Sequence, residues 1–507
     1  MRSIHTLLCA AATVFATALP GSDDAQLLKR QATNNTNTNK LVFCHFMIGV
    51  VSDRTSATDF DADMRRAKAL GIDAFALNIG VDPYTDKQLG FAYQSAAANG
   101  MKVFISFDFN WYNTTQGTMV GEKIAQYAGL PAQLFVDGKA FASSFAGDNV
   151  DVAALRAAAG RPVYFAPNFH PGQGDFGVLD GALNWMGWQS DGQNKAPRGG
   201  VNISVSEGDR SYLSKLGDKG YVAPVSAWFS THFGPEVPYS KNWVFPGGLL
   251  WYIRWREILD LQPNFVELVT WNDYGESHYI GPLSSMHTDD GGSKWVNDMP
   301  HLGWQDMAKP FIAAYKAGSA SVDSFITSDQ LVYWYRVAPK DLNCDETDTT
   351  LQPANNASGN YFQGRPNGYE SMSDDISVVT LLTAPGTVVV NSGATAYTFD
   401  APAGASAFAV PFNTGAQSFS LSRNGAQVMN ATSLRLIENV CPCGLYNFNA
   451  YVGTVPPGAP DALQPDGLAN FKNGLKVACD PTPSLPATPP AATPATTTIV
   501  ATAAPTS

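Results

Sequence analysis

Charge is scarce in this 507-residue chain. Asp, Glu, Lys and Arg make up only 15% of it, and the net charge is −12. No Lys/Arg stripe is present, which excludes nucleic acid as a partner. Histidines number seven, scattered along the chain. No Cys or His spacing matches a zinc or other metal site, so no metal is expected. No glycine-rich phosphate loop follows the first apolar run, and no internal repeat occurs. The apolar stretch at the N-terminus is too short for a permanent membrane span. What the chain has in quantity is aromatic residues, 11%. Low charge with many aromatics suits a neutral polymer such as polysaccharide.

The ends read as processing and spacer segments. Arg2, the apolar Leu7–Ala12 and the small residues Ala16-Thr17-Ala18 make residues 1–18 a secretory signal peptide. Residues 19–30 read as a propeptide ending at the dibasic Lys29-Arg30; an ordinary surface pair is the plain alternative. Asn-X-Ser/Thr acceptors at Asn34, Asn113, Asn202, Asn356 and Asn430 agree with secretion, extracellular or at a cell wall. Residues 481–507 are rich in Pro, Thr and Ala, uncharged, and read as a disordered, O-glycosylated tail. Nothing points beyond a monomer. Of the five cysteines after the signal, Cys344, Cys441, Cys443 and Cys479 are expected to form two bridges, with a Cys441–Cys443 bond disfavoured by its strained short loop. Cys44 reads as a buried free thiol.

Eight short apolar runs occupy residues 40–320: Val42–Ile48, Ala74–Ile79, Val103–Phe107, Ala140–Phe145, Val163–Pro167, Ala182–Trp188, Val222–Trp228 and Phe265–Trp271. Such runs suit strands buried on both faces. Helical patterns fall between several of them: Asp59–Leu70, Gln88–Ala98, Met119–Tyr127, Val152–Ala159 and Leu249–Leu261, with Trp304–Lys316 after the last. The alternation predicts an α/β fold, a (β/α)8 TIM-type barrel; a doubly wound open sheet is the alternative. From 321 to 480 the helical period vanishes. Seven short strand patterns from Leu331 to Asn430, punctuated by Gly, Asn and Pro, predict a C-terminal β-sandwich domain.

Active sites of such barrels sit at the carboxyl ends of the strands. The richest segment there is Trp271-Asn272-Asp273-Tyr274-Gly275-Glu276-Ser277-His278-Tyr279, just past the eighth run. Two carboxylates among aromatics are what glycosidic cleavage needs: one protonates the leaving oxygen, the other activates water or attacks. Asp273 and Glu276 are therefore the candidate catalytic pair, and helix capping is their plain alternative. The longer side chain makes Glu276 the expected acid and Asp273 the expected base. Their spacing permits either an inverting or a retaining separation. Asp108, between two Phe residues after the third run, is a third candidate acid. Candidate substrate contacts are His45, Asn78, Asn110, Trp111, Asn168, Trp188, Trp228, His232, Trp271, Tyr274 and His278, with His170 beside Asn168. Several have a bland alternative: His45 and Asn78 as satisfied core groups, Trp188 and Trp228 as barrel packing, His232 as a loop residue.

Five segments together resemble a known family. They are Val42–Gly49 (VFCHFMIG), Gly71–Gly80 (GIDAFALNIG), Phe104–Asp108 (FISFD), Tyr164–Phe169 (YFAPNF) and Thr270–Ser277 (TWNDYGES). In that order they resemble glycoside hydrolase family 71, the fungal α-1,3-glucanases called mutanases, over about residues 40–480. The resemblance implies cofactor-free, inverting hydrolysis of α-1,3-glucan in a barrel followed by a β-rich domain. By position it places the catalytic pair on Asp273 and Glu276 and a further essential acid on Asp108. A glycosidase of another linkage and a non-catalytic glucan-binding wall protein are the competing readings.

Overall fold

The computed structural model describes residues 40–233, 241–348, 364–464 and 482–500. The signal peptide, the propeptide, Asn34, Asn356 and Cys479 lie outside the described residues.

All eight apolar runs contain strands. They are β1 (Leu41–Met47), β2 (Ala74–Ile79), β3 (Lys102–Asp108), β4 (Lys139–Phe145), β5 (Val163–Phe165), β6 (Gly181–Leu183), β7 (Gly220–Val225) and β8 (Phe265–Leu268). They pair in parallel in the order β5-β4-β3-β2-β1-β8-β7-β6, with a two-residue strand, Phe135–Val136, antiparallel on β4. The register sets Phe43 beside Ala74 on one side and Glu267 on the other. The sheet is curled, and backbone hydrogen bonds link its edge segments. There Asp180 donates its backbone N–H to the carbonyl of Phe165 at 3.2 Å, and Leu183 to that of Pro167 at 2.9 Å.

Period two along the strands separates two cores. On β1, Val42, Cys44 and Phe46 join the large cluster beneath the helices. Phe43 joins Phe104, Phe141, Tyr164 and Phe265 in an inner cluster. The inner rings pack tightly, Phe43 to Phe104 at 5.0 Å and Phe141 to Tyr164 at 5.2 Å between centroids. Each such ring contributes roughly 1.5–3 kcal/mol on burial. The inside of the sheet is thus a plugged aromatic floor, and polar residues lie above it toward the strand carboxyl ends.

The helices are α1 (Asp61–Leu70), α2 (Thr85–Asn99), α3 (Gly117–Tyr127), α4 (Val152–Ala159), α5 (Val205–Leu216), α6 (Leu250–Leu261) and α7 (Leu302–Lys316). α1 buries Met64, Ala67 and Leu70 and stops at Gly71, whose φ of +95° suits glycine. α5 was not expected from apolar periodicity, because its buried face includes Asp209. Its local signal is a capping box, Ser204 with Glu207, which closes the first turn.

Beyond α7 the chain forms β9 (Gln330–Arg336), β10 (Asp375–Leu382), β11 (Gly386–Ser392), β12 (Thr395–Ala401), β13 (Gly404–Pro411), β14 (Gln417–Arg423), β15 (Ala426–Thr432), β16 (Ala450–Val455) and β17 (Thr497–Val500). One sheet runs β13-β10-β9-β16 and the other β15-β14-β11-β12-β17. Leu331, Tyr333 and Tyr335 of β9 share a core with Val388, Val390, Phe419 and Leu421 of the second sheet. Val332 and Trp334, on the opposite face of β9, belong to the main core instead. Trp334 also donates its indole N–H to the Gly248 carbonyl at 2.8 Å, so this sheet is held to the α/β part. β17 corrects the expectation of a wholly disordered tail. Thr497–Val500 pairs in parallel with Thr395–Thr398, because the exposed edge of β12 offers unpaired backbone groups.

Cys344 is bridged to Cys441, a pair 97 residues apart, and Cys443 is also disulfide-bonded. Cys44 is a buried free thiol. Among the described residues, no helix is long and apolar enough to cross a membrane.

Candidate active site

After β8 the chain makes a tight excursion and returns on itself. A single 3₁₀ turn, Tyr274–Glu276, ends at Ser277, whose φ of +60° reverses the backbone. The return is locked by Thr270 N–H to the His278 carbonyl at 3.0 Å and by Ile280 N–H to the Thr270 carbonyl at 2.9 Å. This loop brings Asp273, Glu276 and His278 to one spot. His278 Nε2 lies 2.9 Å from Glu276 Oε2 and 3.7 Å from Asp273 Oδ2. Thr270 Oγ1, at 3.1 Å from Nδ1, steadies the other edge of the ring. Aromatic rings enclose it: Trp188 at 5.4 Å and Phe229 at 5.7 Å between centroids.

A lysine completes the cluster. Lys241, beside the short hairpin of Ser230–His232 and Asn242–Val244, is ion-paired with Glu276 Oε1. Burial alone would push the Glu276 carboxyl up. The Lys241 ammonium and the His278 hydrogen bond outweigh it and hold the group at about 2. Burial, then the negative charge of Glu276, raise the Asp273 carboxyl, against the pull of His278, Lys241 and His45. Lys241 is itself drawn down by burial but held above its ordinary value by Glu276 and Asp273, so it stays a cation. The electrostatics thus favour protonation of Asp273 and ionisation of Glu276, opposite to the order expected from side-chain length.

One ligating atom each from Asp273, Glu276 and His278 falls within a 4.8 Å group. The sequence reading did not anticipate a cluster of metal-ligand types here. Lys241 already supplies the positive charge that Glu276 needs, so these residues do not fit a cation site.

Asp108, at the end of β3, reaches the same space from another strand. Its Oδ1 accepts the Asn110 backbone N–H at 2.9 Å. Burial raises its carboxyl, while the Asn110 amide, then His45 and Lys241, pull it back. His45 sits lower, fully buried on β1, with Nδ1 2.7 Å from Glu267 Oε1. Asn78 is buried on β2, Asn110 is exposed, and Trp111 is 62% exposed.

Other expected contacts are absorbed by the fold. Asn168 donates to the Leu183 carbonyl at 3.0 Å and to the Tyr212 hydroxyl oxygen at 2.9 Å. Trp188 and Trp228 are buried, with indole N–H groups bonded to the carbonyls of Trp228 and Phe448. His232 is clasped between Asn242 at 2.6 Å and Asp348 at 2.7 Å. Trp271 bonds Asp63 at 2.9 Å, and Tyr274 bonds the Pro282 carbonyl at 2.8 Å. His170 pairs outward with Asp148 at 2.5 Å. Trp188 backs the His278 ring.

Four residues escaped the sequence reading. Lys241 carries no local signal. Trp185 is half-buried, with its ring 4.7 Å from His45 and 5.0 Å from Phe145. Glu267 did carry a signal, as the one charged residue within the eight apolar runs. Asp290 is half-buried and tucked over the Tyr274–Glu276 turn; a Cβ on Gly275 would meet its Oδ2 at 2.6 Å and the Phe233 ring at 2.8 Å, so a side chain there would displace both. Burial and the charges of Asp289 and Asp273 raise the Asp290 carboxyl to about 7.

A family model described as glycosyl hydrolase family 71 matches residues 38–464. A mutanase of Penicillium rubens is 40% identical over 431 residues, spanning 84% of this chain and 91% of the relative. A glucan endo-1,3-alpha-glucosidase of Schizosaccharomyces pombe is 34% identical over 448 residues, spanning 85% and 98%. An ascus wall endo-1,3-alpha-glucanase of the same yeast is 27% identical over 449 residues, spanning 81% and 96%.

Proposed function

The chain belongs to glycosyl hydrolase family 71, and from that premise we infer that it hydrolyses the α-1,3-glucosidic bonds of α-1,3-glucan. The observation that carries the mechanism is the enclosed pair Asp273 and Glu276, one raised and the other held ionised by Lys241 and His278. Asp273 protonates the glycosidic oxygen. Glu276 remains an anion, keeps the proton on Asp273, and stabilises the positive charge that develops on the sugar ring.

Inversion needs acid and base carboxyls about 6.5–9.5 Å apart, so that water enters on the opposite face. Asp273 and Glu276 each place an oxygen in one 4.8 Å group, which is too close. Asp108, rising from β3 and subject to the charges of Lys241 and Glu276, serves as the base that activates water. Trp111 and Trp185 offer ring faces to glucose units, with Asn78, Asn110 and His45 nearby for hydroxyls.

The setting is a (β/α)8 barrel over residues 40–320, followed by a β-sandwich over 321–480. Supporting closure are the hydrogen bonds between the β5 and β6 edges; supporting the sandwich is the core shared by its two sheets. The protein acts as a secreted monomer at a fungal wall. The acceptors Asn113, Asn202 and Asn430 are all exposed, and one relative is named for the ascus wall.

The test is reducing-sugar release from insoluble α-1,3-glucan, with β-1,3-glucan as control, by wild type, Asp273→Asn, Glu276→Gln and Asp108→Asn. Each variant should lose roughly 10²–10⁴-fold while still binding the polymer. Binding without release by wild type overturns the enzyme reading. A first-formed β-anomer, read by proton NMR, supports inversion; an α-anomer removes Asp108 as the base.

A further inference from the structure

Beneath the acids lies a second pair, of which the reaction described above uses only the His45 ring. Glu267 on β8 and His45 on β1 are 1% and 0% exposed, and their Oε1 and Nδ1 atoms are 2.7 Å apart. They lie on neighbouring parallel strands, Glu267 in register with Phe43 of the aromatic floor and His45 two residues further along β1. A carboxylate in that position is expensive unless it is paired, so it is not there for packing. Across the His45 ring, Nε2 is also buried but has no hydrogen-bond partner. Glu267 holds Nδ1, and the half-buried Trp185, packed edge-on at 4.7 Å, is the cover that a sugar must displace to reach the ring. The same Trp185 ring lies 6.5 Å from the His278 ring, which places His45 beneath the loop that carries the acids.

A buried imidazole bonded to a carboxylate through one nitrogen presents the other in a fixed state and direction. We propose that Glu267 is a positioning residue for glucan cleavage: it fixes the His45 ring so that Nε2 meets a hydroxyl of the glucose unit bound between Asp108 and Asp273. The inference rests on the α-1,3-glucanase reading. Nδ1 carries the hydrogen and donates to Glu267, and Nε2 is left for the sugar. Glu267 acts only through His45 and touches no substrate.

The test is a double-mutant cycle on kcat/KM for soluble α-1,3-gluco-oligosaccharides, using Glu267→Leu, Glu267→Gln, His45→Gln and the combination of His45→Gln with Glu267→Leu. Glu267→Leu should lose roughly 10–100-fold. Glu267→Gln, whose amide oxygen still accepts from Nδ1, should restore most of that. His45→Gln places an amide near the Nε2 position without using Glu267. In that background Glu267→Leu should add less than about 3-fold. Nitrogen NMR of labelled imidazole adds a readout that a packing role would not move: the Nδ1 signal should be hydrogen-bearing in wild type and altered in Glu267→Leu, with thermal unfolding showing that the variant is folded. Equal losses from Glu267→Leu with and without His45 overturn the proposal, as does full activity in folded Glu267→Leu. An inactive wild type would instead overturn the functional reading on which it rests.

Discussion

Lys241 and Glu276, 35 residues apart in the chain, meet as an ion pair inside the cleft, and that contact lowers one of two neighbouring carboxyls while the other stays raised. Without the ammonium, burial would govern Glu276 and drive it toward the protonated form. Lys241→Met should therefore raise the Glu276 carboxyl from about 2 and move the acid limb of the kcat/KM–pH profile to higher pH. Activity requires the anion, so the loss falls at the acid end and shrinks toward neutrality. A profile measured from pH 3 to 7 that keeps its acid limb in place would show that Lys241 is not what keeps Glu276 ionised.

Asp290 carries a raised carboxyl, at about 7 against an ordinary 3.8. Such a group favours the folded state below its unfolded value. That contribution is lost as pH rises toward 7, because the unfolded chain ionises first. Asp290→Asn keeps an oxygen for the Gly292 backbone N–H, which Asp290 Oδ1 now accepts at 3.0 Å. Its Tm should match wild type near pH 4 and exceed it by roughly 2–4 °C at pH 7.5. Scanning calorimetry at both pH values checks this; a gap independent of pH would mean that the ionisation of Asp290 does not matter to folding.

Trp111 stands 62% exposed against Gly80, where a Cβ would lie 3.3 Å from the indole. An exposed ring contributes little to stability and much to sugar stacking. Trp111→Ala should raise KM for glucan oligosaccharides about 3- to 10-fold while leaving kcat and Tm near wild type. Steady-state kinetics on oligomers of increasing length would locate the subsite.

The Cys344–Cys441 bridge closes a loop of 97 residues and anchors the segment that carries Asp348, whose carboxylate clasps His232 at 2.7 Å. Replacing both cysteines by serine should lower stability by about 2–5 kcal/mol. Activity at 25 °C should persist, since the bridge touches none of the three acids. Denaturant unfolding alongside glucan hydrolysis separates the two effects.

The sequence by itself determined the strands. Runs such as Ala74–Ile79 and Phe265–Leu268 are buried on both faces, and near-continuous apolarity leaves the chain no other low-energy state. It also determined the catalytic loop, because Asp273, Glu276 and His278 are local neighbours that one 3₁₀ turn gathers without help from elsewhere. Tertiary structure alone decided that the Asp273 carboxyl is raised and that of Glu276 lowered. That depends on Lys241, which arrives from another loop, and electrostatic effects fall with distance in space rather than along the chain. It likewise decided that Trp188, Trp228 and Trp271 face the core, since an aromatic at a strand end reads the same whether it meets sugar or protein. The Glu267–His45 pair spans 222 residues, and only the parallel pairing of β8 with β1 brings its two halves together.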